Sequence, residues 1–392
     1  MAALLRPGFR LVWVRELRRI VSRPIYALIT VLLPLGFLLF FTTLMPQGLP
    51  DKLPIGVVDH DQSSLSRKVI RQIDATQQTH VAANYLHFFE ARQAVQNQTI
   101  YGFVEVPKGF MKQVTNGEQP TLHFYYTQNY LIPGSLVLKN LSYMVTTVSG
   151  GASLQLRQAR GQSYDQAMGQ ILPIVPQINA IGNPWINYSV YLINVLLPGM
   201  LQLMVLLTTI YAIGIEIKKE RSLKWYRLSG RKLWKALAAK LLPYTVAFAV
   251  MGCLYCVVLF EGMHYPLHHS IGWMFLDYFL MVVAYQAMGI FLVEMFPTLP
   301  VALSIGGLFG VLGVSYSGLS FPIEGMPLVM QGLSFLFPIR WFFRAYQGIA
   351  LNGIDPIHFL RFFCFQLGYF IFPLLLWKRL RHAIVKMDYP KY

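Results

Sequence analysis

Six apolar runs of about twenty residues each, at 25–45, about 188–215, 241–260, 273–295, 301–319 and 359–377, constrain this 392-residue chain more than any other feature. A helix of roughly 20 apolar residues matches the thickness of a bilayer core. Only 13% of the residues are charged, whereas soluble domains carry about a quarter. The first run is too long for a signal-peptide core of roughly 7–15 residues, and Met45-Pro46-Gln47-Gly48 is a poor cleavage site. It reads as a retained span.

The formal net charge of +16 raises nucleic acid or a membrane surface as partners. Most of the basic residues gather in three clusters. Arg6, Arg10, Arg15, Arg18, Arg19 and Arg23 precede the first run, Lys218 to Lys240 fill the gap between the second and third, and Lys378 to Lys391 follow the last. With six spans all three clusters fall on one side, which basic flanks mark as the cytosol. The short loop 261–272 holds no Lys or Arg, as an outside loop should. Topology therefore accounts for the charge, and nucleic acid is not expected as a partner. Cys253, Cys256 and Cys364 all lie in apolar stretches; Cys253 and Cys256 have C-x-x-C spacing, but at a depth where a thiolate is disfavoured.

Residues 46–187 differ in composition and read as a soluble α/β domain on the outside. Leu53 to Asp59, Thr79 to Ala83, Ile100 to Val106 and Pro120 to Tyr126 have strand character. Helical patterns cover 63–74, 88–97 and a long stretch beyond Pro133, and Pro173, Pro176 and Pro184 punctuate the return to the membrane. Asp59, His60, Asp61, Ser63 and Ser64 cluster in sequence, yet neighbours at a strand end point different ways. They read as a turn with a helix cap near Asp61 and Ser63.

No G-x-x-x-x-G-K-[ST] loop occurs, so the chain is not itself expected to hydrolyse ATP. Glu261, His264, His268 and His269 have spacings a metal could use, but read as a solvated loop, and no metal is expected. Asp277, Glu294 and Arg361 fall at membrane depth, where ionisable groups are costly and often functional. The stretch 216–240 combines Glu216, Lys219, Glu220, Arg221, Arg227 and Arg231 with Leu223, Trp225 and Trp234, as an amphipathic helix. Such a helix can lie on anionic lipid or dock into a partner, and the residues admit both readings. The N-terminal stretch 1–24 has the same character. Between the last two runs, 318–356 is apolar but broken by Pro and Gly, which suits re-entrant half-helices beside a cavity. Its candidate gate residues are Phe321, Pro322, Glu324, Met326, Pro327, Pro338, Arg340 and Trp341.

Ser317-Gly318-Leu319-Ser320-Phe321-Pro322-Ile323-Glu324-Gly325-Met326-Pro327, followed by Phe337-Pro338-Ile339-Arg340, resembles the S-G-x-x-[FY]-P-[IV]-x-x-M-P stretch of the permease subunits of ABC type-2 exporters. Arg15-Glu16-Leu17 with Arg23-Pro24, and Lys240-Leu241-Leu242-Pro243-Tyr244, are similar to other parts of that family. Ser22 and Ala239 depart from its pattern, and its E-[KR]-G-[TS] stands here as Glu220-Arg221-Ser222-Leu223. Ile55 to Asp61 and Tyr101 to Phe110 resemble the outer domain of its longer members.

The resemblance implies a polytopic α-helical membrane protein with six transmembrane helices and an α/β extracytoplasmic domain inserted between helices one and two. Its expected parts are an amphipathic helix 1–24, a span 25–45, the outer domain 46–187, five spans in 188–377 and a basic tail 378–392. It further implies a homodimer or paired permease in the plasma membrane, the inner membrane of a bacterium, with both termini cytosolic. A separate ABC ATPase subunit would bind ATP and Mg and contact 216–240, and a periplasmic adaptor could meet the outer domain. The expected cargo is an amphipathic drug, lipid or glycolipid. A membrane-anchored sensor or receptor is the alternative.

Overall fold

The computed structural model describes residues 8–44, 48, 50–129, 131–171, 182–183, 187–296, 298–318 and 321–386. Arg6, Met45-Pro46-Gln47, Pro173, Pro176, Pro184, Leu319-Ser320 and Lys391 lie outside them. The chain divides into two compact units, Gln47–Asn179 and Met1–Pro46 with Ala180–Tyr392.

Helix α1 spans Phe9–Ser22 and ends at Arg23, whose extended backbone (φ −118°, ψ 116°) is the conformation imposed on a residue before proline. Pro24 then occupies the first position of α2, Pro24–Leu44, where its missing N–H is not needed. In α2 a π-turn covers Leu28–Leu32.

In the 47–179 unit, β1 (Leu53–Asp59) lies between β2 (Thr79–Asn84) and β3 (Gly102–Val106), parallel to both, and β4 (His123–Tyr126) closes the sheet antiparallel to β3. The order β2-β1-β3-β4 follows from two crossovers, α3 (Ser64–Asp74) and α4 (Phe88–Gln96). Helices α5 (Phe110–Asn116), α6 (Leu131–Ala159) and α7 (Tyr164–Ile171) follow β3 and β4. Val69 and Ile73 of α3 and Val137 and Leu141 of α6 pack with Ile55 on one side of the sheet. Ala91 and Ala94 of α4 pack with Val58 and Phe103 on the other. Cover on both faces explains why β1 is an unbroken apolar run rather than an alternating one.

The turn after β1 is a capping device with no catalytic geometry. Asp59 Oδ1 accepts from the amides of Asp61 and Gln62, both at 3.0 Å, and Ser63 Oγ caps α3 by accepting from Ser66 N–H at 3.0 Å. Asp61, expected at the same cap, instead caps α5, accepting from Met111 N–H at 3.1 Å. Slight burial works against its charge, but the Ser63 hydroxyl and the amides of Met111, Gly109 and Phe110 outweigh it and hold the carboxyl below its ordinary range. A carboxyl depressed in the folded state stabilises above its unfolded pKa, and that contribution is lost as pH falls through the folded value. Protection of the Met111 amide against hydrogen exchange should therefore fall below about pH 4, and Asp61→Asn should remove this pH dependence.

The other unit continues with α8 (Tyr188–Lys218), capped by Asn187 Oδ1 on Val190 N–H at 3.2 Å. Next come α9 (Ser222–Leu228), α10 (Leu233–Gly262), α11 (Ile271–Met295) and α12 (Leu299–Ser315). Short helices follow: a 3-10 turn at Ile323–Gly325, α13 (Leu328–Leu333), a second 3-10 turn, and α14 (Pro338–Tyr346), which runs on as a π-turn to Asn352. Finally α15 (Pro356–Leu375) and α16 (Trp377–Lys386) close the described chain.

Five of these helices, α2, α8, α10, α11 and α15, are long and apolar enough to cross a membrane. The expected fifth span is the apolar α12 of 17 residues, ending at Ser315 before Gly318 at φ +83°. The expected single amphipathic helix over 216–240 is corrected by the structure. Glu220 (φ +54°) separates α8 from α9, and Gly230 and Arg231 (φ +77° and +60°) separate α9 from α10, so the segment forms three pieces. The basic tail is likewise helical through Lys386, with Leu380 and Ile384 buried.

Helices α8 and α11 approach closely because Gly289 lacks a side chain. A Cβ there would lie 2.8 Å from Thr209 Cβ, and Thr209 is fixed by its hydroxyl donating to Val205 O at 2.7 Å. Gly289→Val should destabilise the protein by about 1–3 kcal/mol through overpacking, read as a lower unfolding midpoint of the purified chain.

Candidate functional site

At the end of the helices where the basic clusters lie, three elements are joined by one buried ionic network. Helix α1 presents Arg15, Glu16 and Arg19 within a turn of one another. Glu216 comes from the last turn of α8, and Lys240 and Tyr244, four residues apart, share one face of α10. Glu216 Oε1 accepts from Arg15 Nη2 at 2.6 Å and from Arg19, and lies 3.7 Å from Lys240 Nζ. Glu16 accepts from Lys240 Nζ at 3.1 Å and from Tyr244 OH at 3.4 Å. Glu16, Glu216 and Lys240 are fully buried and Arg19 nearly so.

Burial alone would lower the Arg19 pKa, but Glu216, with Tyr26 and Glu16, more than offsets it and holds the guanidinium above its ordinary value. Arg19 also lies over the Tyr26 ring, 5.7 Å from its centroid, and Lys240 Nζ lies 5.5 Å from that of Trp225. Charges taken this far out of water are costly unless paired, so the network fixes α1, α8 and α10 in one arrangement.

Helix α9 rests on this frame. Ser222, Trp225 and Tyr226 are buried, and Ser222 Oγ donates to Ile384 O at 2.8 Å, tying α9 to α16. The residues expected to couple to a partner thus divide into two sets. Glu216 and Trp225 belong to the buried frame, and Leu223 is half-buried. Lys219, Glu220, Arg221, Arg227, Arg231 and Trp234 are exposed, forming a mostly basic rim. Sequence reasoning does not single out Glu16, Arg19, Lys240 and Tyr244 as site residues. Their signs in the sequence are that Glu16 is the sole acid in an otherwise basic N-terminal helix, and that Glu16, Lys240 and Tyr244 lie in stretches that resemble the family.

The expected gate residues converge only in part. Arg340 donates to Ser334 Oγ and to Gln331 O (3.3 Å), and its guanidinium lies 4.1 Å from the Phe335 centroid and 4.8 Å from that of Trp341. Tyr369 OH donates to Phe335 O at 2.7 Å, fastening the segment to α15. Glu324 pairs with Arg344. Hydrogen bonds from its own backbone and from Arg344 hold its carboxyl below the ordinary range. Pro338 and Trp341 are buried and Met326 is half-buried, while Phe321, Pro322 and Pro327 are exposed.

Of the membrane-depth residues, Arg361 is exposed and lies over the Phe362 ring at 4.8 Å. Asp277 and Glu294 are buried; Asp277 accepts from Gln366 Nε2 at 2.6 Å, and neither Glu294 oxygen has a hydrogen-bond partner. In the histidine loop, a ring nitrogen of His269 bonds Ile354 O at 2.9 Å. Among the described residues no group of three or more His, Cys, Asp or Glu could hold a metal ion.

Residues 25–377 match the sequence model of a family described as ABC-2 family transporter protein. The linearmycin resistance permease protein LnrN of Bacillus subtilis (strain 168) is 24% identical to this chain over 354 residues, covering 86% of the chain and 90% of LnrN.

Proposed function

Because the chain belongs to the ABC-2 family of transporter proteins, we propose that it is the permease of an exporter driven by ATP that a separate cytosolic subunit binds with Mg and hydrolyses. The permease carries an amphipathic drug, lipid or glycolipid from the cytosol or inner leaflet. A role in drug resistance is supported by the name of LnrN, a resistance permease. In this reading α12 completes a set of six spans and both termini are cytosolic. The 47–179 unit lies outside, where an adaptor can reach it in a host with two membranes. Two permeases pair in the plasma membrane, as the largely uncovered flank of α2 suggests, with only 28% of its apolar window buried in the chain.

The observation that carries the proposal is the ionic frame beneath the exposed basic rim. A push on α9 is transmitted to three helices at once through Trp225, Lys240, Glu216 and Arg19, because a buried charge that loses its partner is costly. The rim supplies the contact and the frame supplies the lever. ATP-driven closure of the partner then rocks the spans apart. The 318–356 segment, pinned by Arg340 and Tyr369, acts as the gate at the far end.

Affinity capture of the tagged permease from its host tests the contact. The wild type should bring down a P-loop ATPase, and the triple reversal Lys219→Glu, Arg227→Glu, Arg231→Glu should reduce that capture at least about tenfold. Undiminished capture by the reversed protein would sink the assignment of the rim.

A further inference from the structure

Asp277 is a buried charge-bearing group of the membrane unit that lies outside the ionic frame. It lies about 9 Å along α11 from the helix start and is fully buried. One carboxylate oxygen accepts from Gln366 Nε2 of α15, while Oδ2 has no hydrogen-bond partner. Gln366, also buried, leaves its own Oε1 without a donor. Two acceptors, one of them on a carboxyl, thus belong to side chains joined by a hydrogen bond and have nothing donating to them. Each acceptor left bare in such a place carries a desolvation cost.

The walls offer no counter-charge. Cys256 of α10 and Tyr278 of α11 lie within electrostatic reach of Asp277, and Tyr346 of α14 lies beside both. Phe342 stacks edge-on against Tyr278 with centroids 4.9 Å apart. No Lys, Arg or His among the described residues forms an ion pair with Asp277. A carboxyl and a free carbonyl in an apolar, aromatic-rich interior favour an organic cation. Two neighbouring acceptors select a cation with N–H groups over a quaternary one.

We propose that Asp277 and Gln366 form a binding site for a primary ammonium group at the end of an apolar chain, with N–H donors directed to Asp277 Oδ2 and Gln366 Oε1. Asp277 supplies the charge, and Gln366 orients the carboxyl and shares the ligand. Only the further step, that the cargo carries such a group, rests on the exporter reading above.

The test uses the full-length permease purified without any ATPase, so that binding is read apart from transport. Dodecylammonium should raise the unfolding midpoint by about 3 °C at saturating concentration. Dodecanol, which lacks the charge, and dodecyltrimethylammonium, which lacks the N–H groups, should raise it less than half as much. Asp277→Asn keeps an acceptor for Gln366 and should abolish the response.

Should that variant fail to fold, labelling of the wild type with dicyclohexylcarbodiimide gives a second readout. Dodecylammonium should protect Asp277 from adduct formation by at least fivefold and leave the equally buried Glu294 unprotected. An equal shift with dodecanol, a response surviving in Asp277→Asn, or equal protection at Glu294 would overturn the site and leave Asp277 a neutral hydrogen-bonding partner of Gln366. ATP-dependent export, measured after the same permease is reconstituted with the ATPase it captures from its host, separates the two ideas. Ammonium binding without export contradicts the exporter reading alone, and export without ammonium binding contradicts this site alone.

Discussion

Glu216→Ala should cost the protein about 3–5 kcal/mol of stability, the range for breaking a buried pair from one side. Glu216 is the shared acceptor of Arg15 and Arg19 and lies 3.7 Å from Lys240 Nζ, so its removal leaves three cations around the single carboxylate of Glu16. The decisive comparison is with paired apolar replacement. Lys240→Met alone strands Glu16 without its 3.1 Å partner and should be strongly destabilising. Glu16→Leu combined with Lys240→Met should recover most of that loss, because well-packed apolar groups replace a buried ion pair at little net cost. Chemical unfolding of the purified variants reads both. If Glu216→Ala unfolded within about 0.5 kcal/mol of the wild type, as an ordinary surface change does, the network would not hold the helices.

Trp225→Ala should be equally damaging for a different reason. The indole is fully buried between α9 and the Lys240 region, and its truncation leaves a cavity worth about 3–5 kcal/mol. Its Nε1 has no hydrogen-bond partner, so Trp225→Phe forfeits no hydrogen bond and should cost less than about 2 kcal/mol. Hydrogen exchange across 222–228 should accelerate in the alanine variant and stay near the wild-type rate in the phenylalanine variant. Equal exchange in both would mean that α9 is held by something other than this side chain.

Features set by neighbouring residues are legible in the sequence. The five long apolar helices follow from the length of apolar runs, the start of α2 from Arg23-Pro24, and the alternation of strands and helices in the 47–179 unit from strand runs set between the patterns of α3 and α4. Ser63 is readable as a cap because its partner is three residues away. The role of Asp61 is not, because its partner, Met111, is 50 residues away.

Distance in sequence also hides the core of the site. Arg19 and Glu216 are 197 residues apart, and Glu16 and Lys240 are 224 apart. No local period connects them. Composition marks 216–240 as basic and aromatic, but three left-handed residues, Glu220, Gly230 and Arg231, decide that it folds as three pieces. Those breaks turn Trp225 inward and leave Trp234 exposed, a distinction that amphipathic spacing alone does not make.

In the proposed exporter, the rim around α9 meets a protein rather than lipid headgroups alone. Photo-crosslinking from a benzoyl-phenylalanine placed at Arg227, in membranes of the native host, tests it most directly. A crosslinked species containing a P-loop ATPase should form, in higher yield with ATP than without. Adducts to lipid alone, in the same yield with and without ATP, would contradict it.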